Sequence, residues 1–357
     1  MSLDFIPVEI YTSLYYFIIL FVTLFICVEL HIKGYKESSF GFLLLLFILV
    51  YMGLRPISGV FTDMVNYSEQ FNNAQNRYID IQSKDVGFDF FMLFSSKMMN
   101  VNSFFFLCAF LYIYTLYLVC KKWFTEYWFY AFILLVGSFS FWAYGTNGIR
   151  NGIAGSLFLL GISRDKRVWQ IVLIFIAINF HKSILLPTLG FIIAQFFNKP
   201  KIMIGFWLLC IPLSLAAGGF WETFFAGLGF EDERLSYLTQ GNVNDDDFSS
   251  TGFRWDFILY SATAVFAGWY FIVKKGFKDK IYYWVFNTYV FANAFWILVI
   301  RANFSNRFAY LSWFMMALVI VYPFLKENSM KIQPRVLAWV ILLYFSFTFF
   351  MNVVIAK

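Results

Sequence analysis

Arg55, Arg150, Arg301 and Arg307, with His181 and Lys182, fall at the ends of apolar segments in a chain that is otherwise poor in charge. Charges at bilayer depth are costly and tend to mark function. Guanidinium groups neutralise carboxylates and phosphates, often bidentately. A histidine beside them can accept or release a proton near neutral pH. Several cations on one side of a membrane therefore predict a site for an anionic, lipid-linked substrate.

Four stretches carry these residues. In GLRPISGVFTDMVNYSEQF (53–71), Arg55 follows an apolar segment that Pro56 ends. Asp63, Tyr67 and Phe71 share one face if the stretch is helical. Asp63 then supplies a carboxylate able to take a proton. In YGTNGIRNGIAGSLFLLG (144–161), Arg150 lies in the first turn of a helix rich in Gly, Ala and Ser. Small residues let membrane helices pack closely, so this helix is expected to be central. Its N-terminal amides and dipole favour an anion. In NFHKSILLPTLG (179–190), His181 and Lys182 follow an apolar run of about 13 residues. That run reaches only about 20 Å at 1.5 Å per residue, short of a ~30 Å core. His181 is thus expected below the outer interface. In the stretch 301–310, Arg301 and Arg307 flank a short turn, and Tyr310 lies one helical turn past Arg307, placed to hold its guanidinium or a sugar. The plain alternatives are a helix end with an interfacial Arg for Arg55, a tight turn between two helices with a satisfied His for His181, and interfacial snorkelling for Arg301 and Arg307. Arg150, on the first turn of a central helix, is hard to explain as a snorkelling surface charge.

The elements that must position these residues are apolar throughout. Of 357 residues, 61% are hydrophobic and only 13% charged, where a soluble domain carries about 25%. Fifty Phe and twelve Trp cannot all enter one water-soluble core. The start, Met1 to Ile10, has Asp4 and Glu9 and no basic region, so the first apolar segment is expected to be retained. Cys27, Cys108, Cys120 and Cys210 read as small apolar side chains without metal-ligand spacing. Apolar runs near 11–30, 40–54, 103–120, 127–143, 149–162, 168–180, 183–197, 202–217, 256–273, 281–300, 307–325 and 336–354 predict an all-α polytopic membrane protein with about twelve transmembrane helices in a single domain, 1–357. Most basic residues fall in alternate short loops, among them Lys121 and Lys122, Arg164 to Arg167, and Lys274 to Lys280. The positive-inside rule makes that face cytoplasmic and both termini external. The other face then carries loops of about 55–102 and 218–255. The first contains an apolar stretch, 86–99, too short to span and read as an interfacial or re-entrant helix. The second is acidic. Its Asp245-Asp246-Asp247 reads as a solvated loop, and His31 as an interfacial residue. No P-loop, dinucleotide fingerprint, HExxH or GxSxG is present.

The order of these motifs resembles a known family. Gly53-Leu54-Arg55, Gly59, Asp63, Tyr67 and Phe71 come first, then the helix opening Asp85-Val86-Gly87-Phe88. IRNGIA and FLLGI follow, then FHKSILLP, then NRFAYL. This arrangement, from about 50 to 315, is similar to that of the EpsG-like and Wzy-type polymerases of surface polysaccharides such as O-antigen. Asp85 stands where the family often has Glu. The resemblance implies a membrane-embedded glycosyltransferase of GT-C-like architecture in the bacterial inner (plasma) membrane, with its active site facing the periplasm or outside. It would transfer a glycan chain from polyprenyl (undecaprenyl) diphosphate to the non-reducing end of a lipid-linked repeat unit. Arg150, His181, Asp63 and Arg307 would be catalytic. Arg55, Lys182, Arg301, Tyr67 and Tyr310 would bind substrate. Either His181 or Asp63 would be the base. No cofactor is expected, and no bound metal is required if arginines supply the charge, although Asp63 is able to hold one. The expected partners are the undecaprenyl-diphosphate-linked oligosaccharide, membrane lipids and a chain-length regulator protein, with no nucleic acid. A flippase for lipid-linked oligosaccharides and a glycan ligase are the rival functions. A transporter would carry charges along a path open to both faces, whereas here the unexplained cations lie on the outer half.

Overall fold

The structure, a computed structural model, describes residues 2–36, 40–76, 85–227, 252–302 and 305–355. The acidic segment with Asp245-Asp246-Asp247 lies outside the described residues. All regular structure among the described residues is helical. The helices are α1 (Val8–Lys33), α2 (Phe40–Gly53), α3 (Met64–Asn76), α4 (Val86–Met98), α5 (Val101–Phe124), α6 (Trp128–Val136), α7 (Phe139–Thr146), α8 (Ile149–Ile162), α9 (Arg167–Phe180), α10 (Leu185–Phe196), α11 (Pro200–Gly227), α12 (Trp255–Gly268), α13 (Lys280–Leu298), α14 (Ser305–Lys326) and α15 (Gln333–Phe349).

The expectation of about twelve spans is corrected. Among the described residues six helical stretches are long and apolar enough to cross a membrane: Val8–Lys33, Val101–Val136, Pro200–Phe225, Trp255–Lys274, Ser305–Lys326 and Gln333–Ile355. The chain is thus an all-α, multi-pass membrane protein by the length and composition of its helices. The shortfall has a geometric cause. Helices α2, α8 and α9 have 14 residues and α10 has 12. At 1.5 Å per residue these reach only about 18–21 Å, against a core of about 30 Å. The run read as 127–143 breaks at Gly137-Ser138 into α6 and α7. The run read as ending at 217 kinks there, at Ala217, but continues as helix to Gly227, through residues expected to be loop from 218. The loop expected over 55–102 contains two helices, α3 and α4.

The chain divides into two compact units: Met1–His181 with Phe324–Lys357, and Lys182–Pro323. In the first, α5 packs on α2, α6 and α8, α8 on α9, and α1 on α15. Broken helices in lipid need other partners for their freed carbonyls. Here Tyr15 donates to the Val136 carbonyl beside the α6–α7 break at 2.7 Å. Tyr11 and Tyr51 stack at 4.3 Å, and each donates to the other's carbonyl. Such satisfied breaks let short helices end inside protein rather than at the membrane surface.

In the second unit α10, α11 and α12 pack on α13. A buried polar network joins them. Asn293 on α13 accepts from Trp207 Nε1 of α11 at 2.7 Å. It donates to Ser261 of α12 at 3.1 Å and to Ser312 of α14 at 2.9 Å. Trp313 Nε1 also donates to Ser261, at 2.8 Å. An indole only donates, so the Asn293 carbonyl must face Trp207 and its amide the two serines. This network fixes the register of four helices.

Candidate active site in the first unit

The site is built where three helix ends meet. Helix α7 closes on Asn147 and Gly148, whose amides both bond the Ala143 carbonyl at 2.9 and 2.8 Å. The chain then turns straight into α8, which starts at Ile149. That turn requires glycine at 152: a Cβ there would stand 2.5 Å from the Tyr144 carbonyl oxygen. Arg55 ties the same turn to α2. Its Nη1 donates to the Met52 carbonyl at 2.6 Å and its Nη2 to the Thr146 carbonyl at 3.3 Å. These are carbonyls at the C-terminal ends of α2 and α7, where a cation is favoured. Arg55 is only 2% exposed, lies between the rings of Phe61 and Phe105, and its Nε has no hydrogen-bond partner. Burial lowers its pKa to about 10, which leaves it a cation near neutral pH. The Asp63 amide donates to Asn147 Oδ1 at 3.3 Å, so the start of α3 is fastened to the turn as well.

Arg150 emerges from this turn into a polar cluster. Its Nη1 donates to Asp85 Oδ2 at 2.9 Å and its Nε to the Tyr67 hydroxyl at 3.2 Å. His181 Nδ1 stands 3.9 Å from the other Asp85 oxygen, an ion-pair distance if the ring is protonated but long for a hydrogen bond. A cation in the first turn of a helix opposes the dipole, so Arg150 and the α8 amides together call for an anion. His181 caps the C-terminus of α9, its amide bonded to the Ala177 carbonyl. Burial pushes the Tyr67 phenol up, against the pull of Arg150, so it stays a neutral hydroxyl.

Asp85 is the functional candidate that the sequence reading left out. It is 5% exposed and lies at the N-cap of α4, yet its side chain makes no capping bond. An Asp at that position ordinarily accepts an amide of its own helix. Here it faces Arg150 and His181 instead. Its place depends on Gly87. A Cβ at 87 would lie 2.9 Å from both the Cβ and the backbone oxygen of Asn179, so only glycine lets α4 meet the end of α9. The signal in the sequence was the pair Asp85 and Gly87 at a helix start, but nothing along the chain pointed to Arg150. Beneath the polar groups, Phe88 and Phe91 pack against Phe180 at 6.1 and 5.7 Å and join α4 to α9.

The structure thus gathers Arg150, Tyr67 and His181, with Asp63 within electrostatic reach of Tyr67. Arg55 sits behind them, on the far side of the Thr146–Asn147 turn. Lys182, Arg301, Arg307 and Tyr310 belong to the second unit. There Tyr310 lies within electrostatic reach of Arg307 and is hydrogen-bonded by Asn306. Arg301 is exposed and its guanidinium lies 5.8 Å from the Phe253 ring.

The EpsG family model matches residues 38–357. The chain belongs to the EpsG family. That family is associated with exopolysaccharide biosynthesis. No curated protein and no solved structure matches the chain. In this EpsG-family protein the matched region contains every residue of the Arg150 cluster and leaves out α1, which contributes Tyr11 and Tyr15 to the packing behind it.

Proposed function

We propose that the protein is a polysaccharide polymerase of the external face of the plasma membrane. It transfers a glycan chain from polyprenyl (undecaprenyl) diphosphate to the non-reducing end of a lipid-linked repeat unit. The observation that carries this reading is the part-buried Arg150–Asp85 pair with His181 alongside, in a chain of the EpsG family. A diphosphate leaving group gains charge as the glycosidic bond breaks, and a fixed guanidinium is suited to hold that charge. The acceptor hydroxyl must lose a proton in the same step. His181 is the first candidate to take it and Asp63 the second. Tyr67 orients the Arg150 guanidinium. Arg55, held by the Met52 and Thr146 carbonyls, acts by placing the turn that presents Arg150. Arg307, Arg301, Lys182 and Tyr310 are assigned to binding the anionic and sugar groups of the substrates.

The test is a reconstitution. Purified protein given lipid-linked repeat units should yield longer glycans and release free polyprenyl diphosphate. Repeat units that stay single in the presence of well-folded protein would overturn the reading.

A further inference from the structure

The Arg150 cluster contains more negative charge control than a simple anion site needs. Asp85 divides its two carboxylate oxygens between two bases: Oδ2 lies 2.9 Å from Arg150 Nη1, and Oδ1 lies 3.9 Å from His181 Nδ1. The two sides of the pair differ in access. The Asp85 side chain is 7% exposed and that of Arg150 23%, so an anion can reach the guanidinium without displacing the helix that carries the acid. The carboxylate also does not cap its own helix, although it stands at the N-cap position.

We propose that Asp85 is an exchangeable counter-ion. It neutralises Arg150 until the phosphates of a lipid diphosphate take the guanidinium, and then serves His181. This rests on the polymerase reading above. The exchange follows from charge. Two anions compete for one guanidinium, and the diphosphate carries more charge and more acceptor oxygens than a carboxylate. Once displaced, the carboxylate is next to Nδ1 of His181, and closing that gap makes a hydrogen bond that fixes the ring with Nε2 toward the acceptor. In the transfer step the acceptor oxygen forms its bond to the anomeric carbon. The bond from that carbon to the phosphate oxygen breaks, and its electron pair leaves with the diphosphate. The hydroxyl proton passes to His181 Nε2, and Asp85 stabilises the resulting imidazolium. Asp85 touches neither reacting atom, so it is a positioning residue. Substrate binding itself would thereby ready the base.

The proposal makes affinity and turnover move in opposite directions, which a purely structural role would not do. Full-length protein in nanodiscs is titrated with undecaprenyl diphosphate as the probe, and turnover is followed with lipid-linked repeat units. Asp85→Asn removes the competing charge and should bind the probe about tenfold more tightly. It should also turn over about a hundredfold more slowly, the scale of lost base assistance. Asp85→Glu retains a carboxylate, so its affinity should stay near that of the wild type and its turnover should exceed that of Asp85→Asn. Weaker or unchanged probe binding by Asp85→Asn overturns the exchange. Should that variant not fold, Asp85→Glu carries the test, and probe binding about tenfold tighter than wild type overturns the proposal. Arg150→Ala separates the two readings. If wild type and Arg150→Ala bind the probe alike, the polymerase reading of the site fails. If Arg150→Ala loses binding while Asp85→Asn does not tighten it, the exchange alone fails.

Discussion

The two units each bury a polar cluster, and the clusters are opposite in kind. Around Asn293 every group is neutral, the carbonyl and both amide hydrogens of the side chain are used, and Asn293, Ser261 and Ser312 are all fully buried. Around Arg150 the groups are charged or titratable, they lie at helix ends, and one side of the guanidinium reaches solvent. A saturated neutral network has no capacity left for a ligand and serves the framework. A charged cluster at helix ends keeps partners that an incoming anion can replace. Burial of polar groups in a membrane protein is thus no indicator of function by itself. What separates the two cases is whether the bonds are complete and whether charge is at stake.

Substitutions test that contrast, and the largest effect is expected at Arg150. Arg150→Ala should leave the protein inserted and abolish the glycan ladder in a complemented deletion strain, with turnover reduced about a thousandfold. A normal ladder from well-expressed variant would remove Arg150 from the site. His181→Ala should lower turnover about a hundredfold if the ring is the base. Retained activity would move that role to Asp63. Gly87→Ala should come next. The added methyl pushes α4 from the end of α9 and carries Asp85 with it, so turnover should fall about tenfold from a sub-ångström displacement. Activity equal to wild type, measured per folded molecule, would show that the α4–α9 contact does not set the site. The smallest effect on activity is expected at Asn293. Asn293→Ala deletes three interhelical bonds at about 0.6 kcal/mol each, so stability should drop by about 2 kcal/mol in a detergent melt. Turnover per folded molecule should stay within about twofold of wild type. A large turnover loss without a stability loss would put Asn293 among the functional residues and erase the contrast.

Much of the helical layout was legible along the chain. The apolar runs near 149–162 and 168–180 match α8 and α9, because an uninterrupted apolar run in lipid has to satisfy its own backbone as helix. The break at His181 was also visible, since the run before it is too short to span. The number of spans was not, because a run tells neither whether it crosses the bilayer nor whether it ends against other helices. The break at Gly137-Ser138 is held by Tyr15, which is far away along the chain. Arg55 shows the same limit. Its position after an apolar segment suggested a substrate contact, while in the structure its guanidinium donates to the carbonyls of Met52 and Thr146.

What the sequence by itself determined is the chemistry available: a membrane protein of helices, a short set of cations at helix ends, one histidine among them, and motif order that matches its family. Composition and run length decide these, because burial in lipid constrains every residue of a segment alike. Only the tertiary structure decided which groups meet. Asp85, Arg150 and His181 come from three separate helix ends. Their meeting depends on a glycine that lets two helices touch and on side chains that satisfy broken backbones, and both of these act across space rather than along the chain.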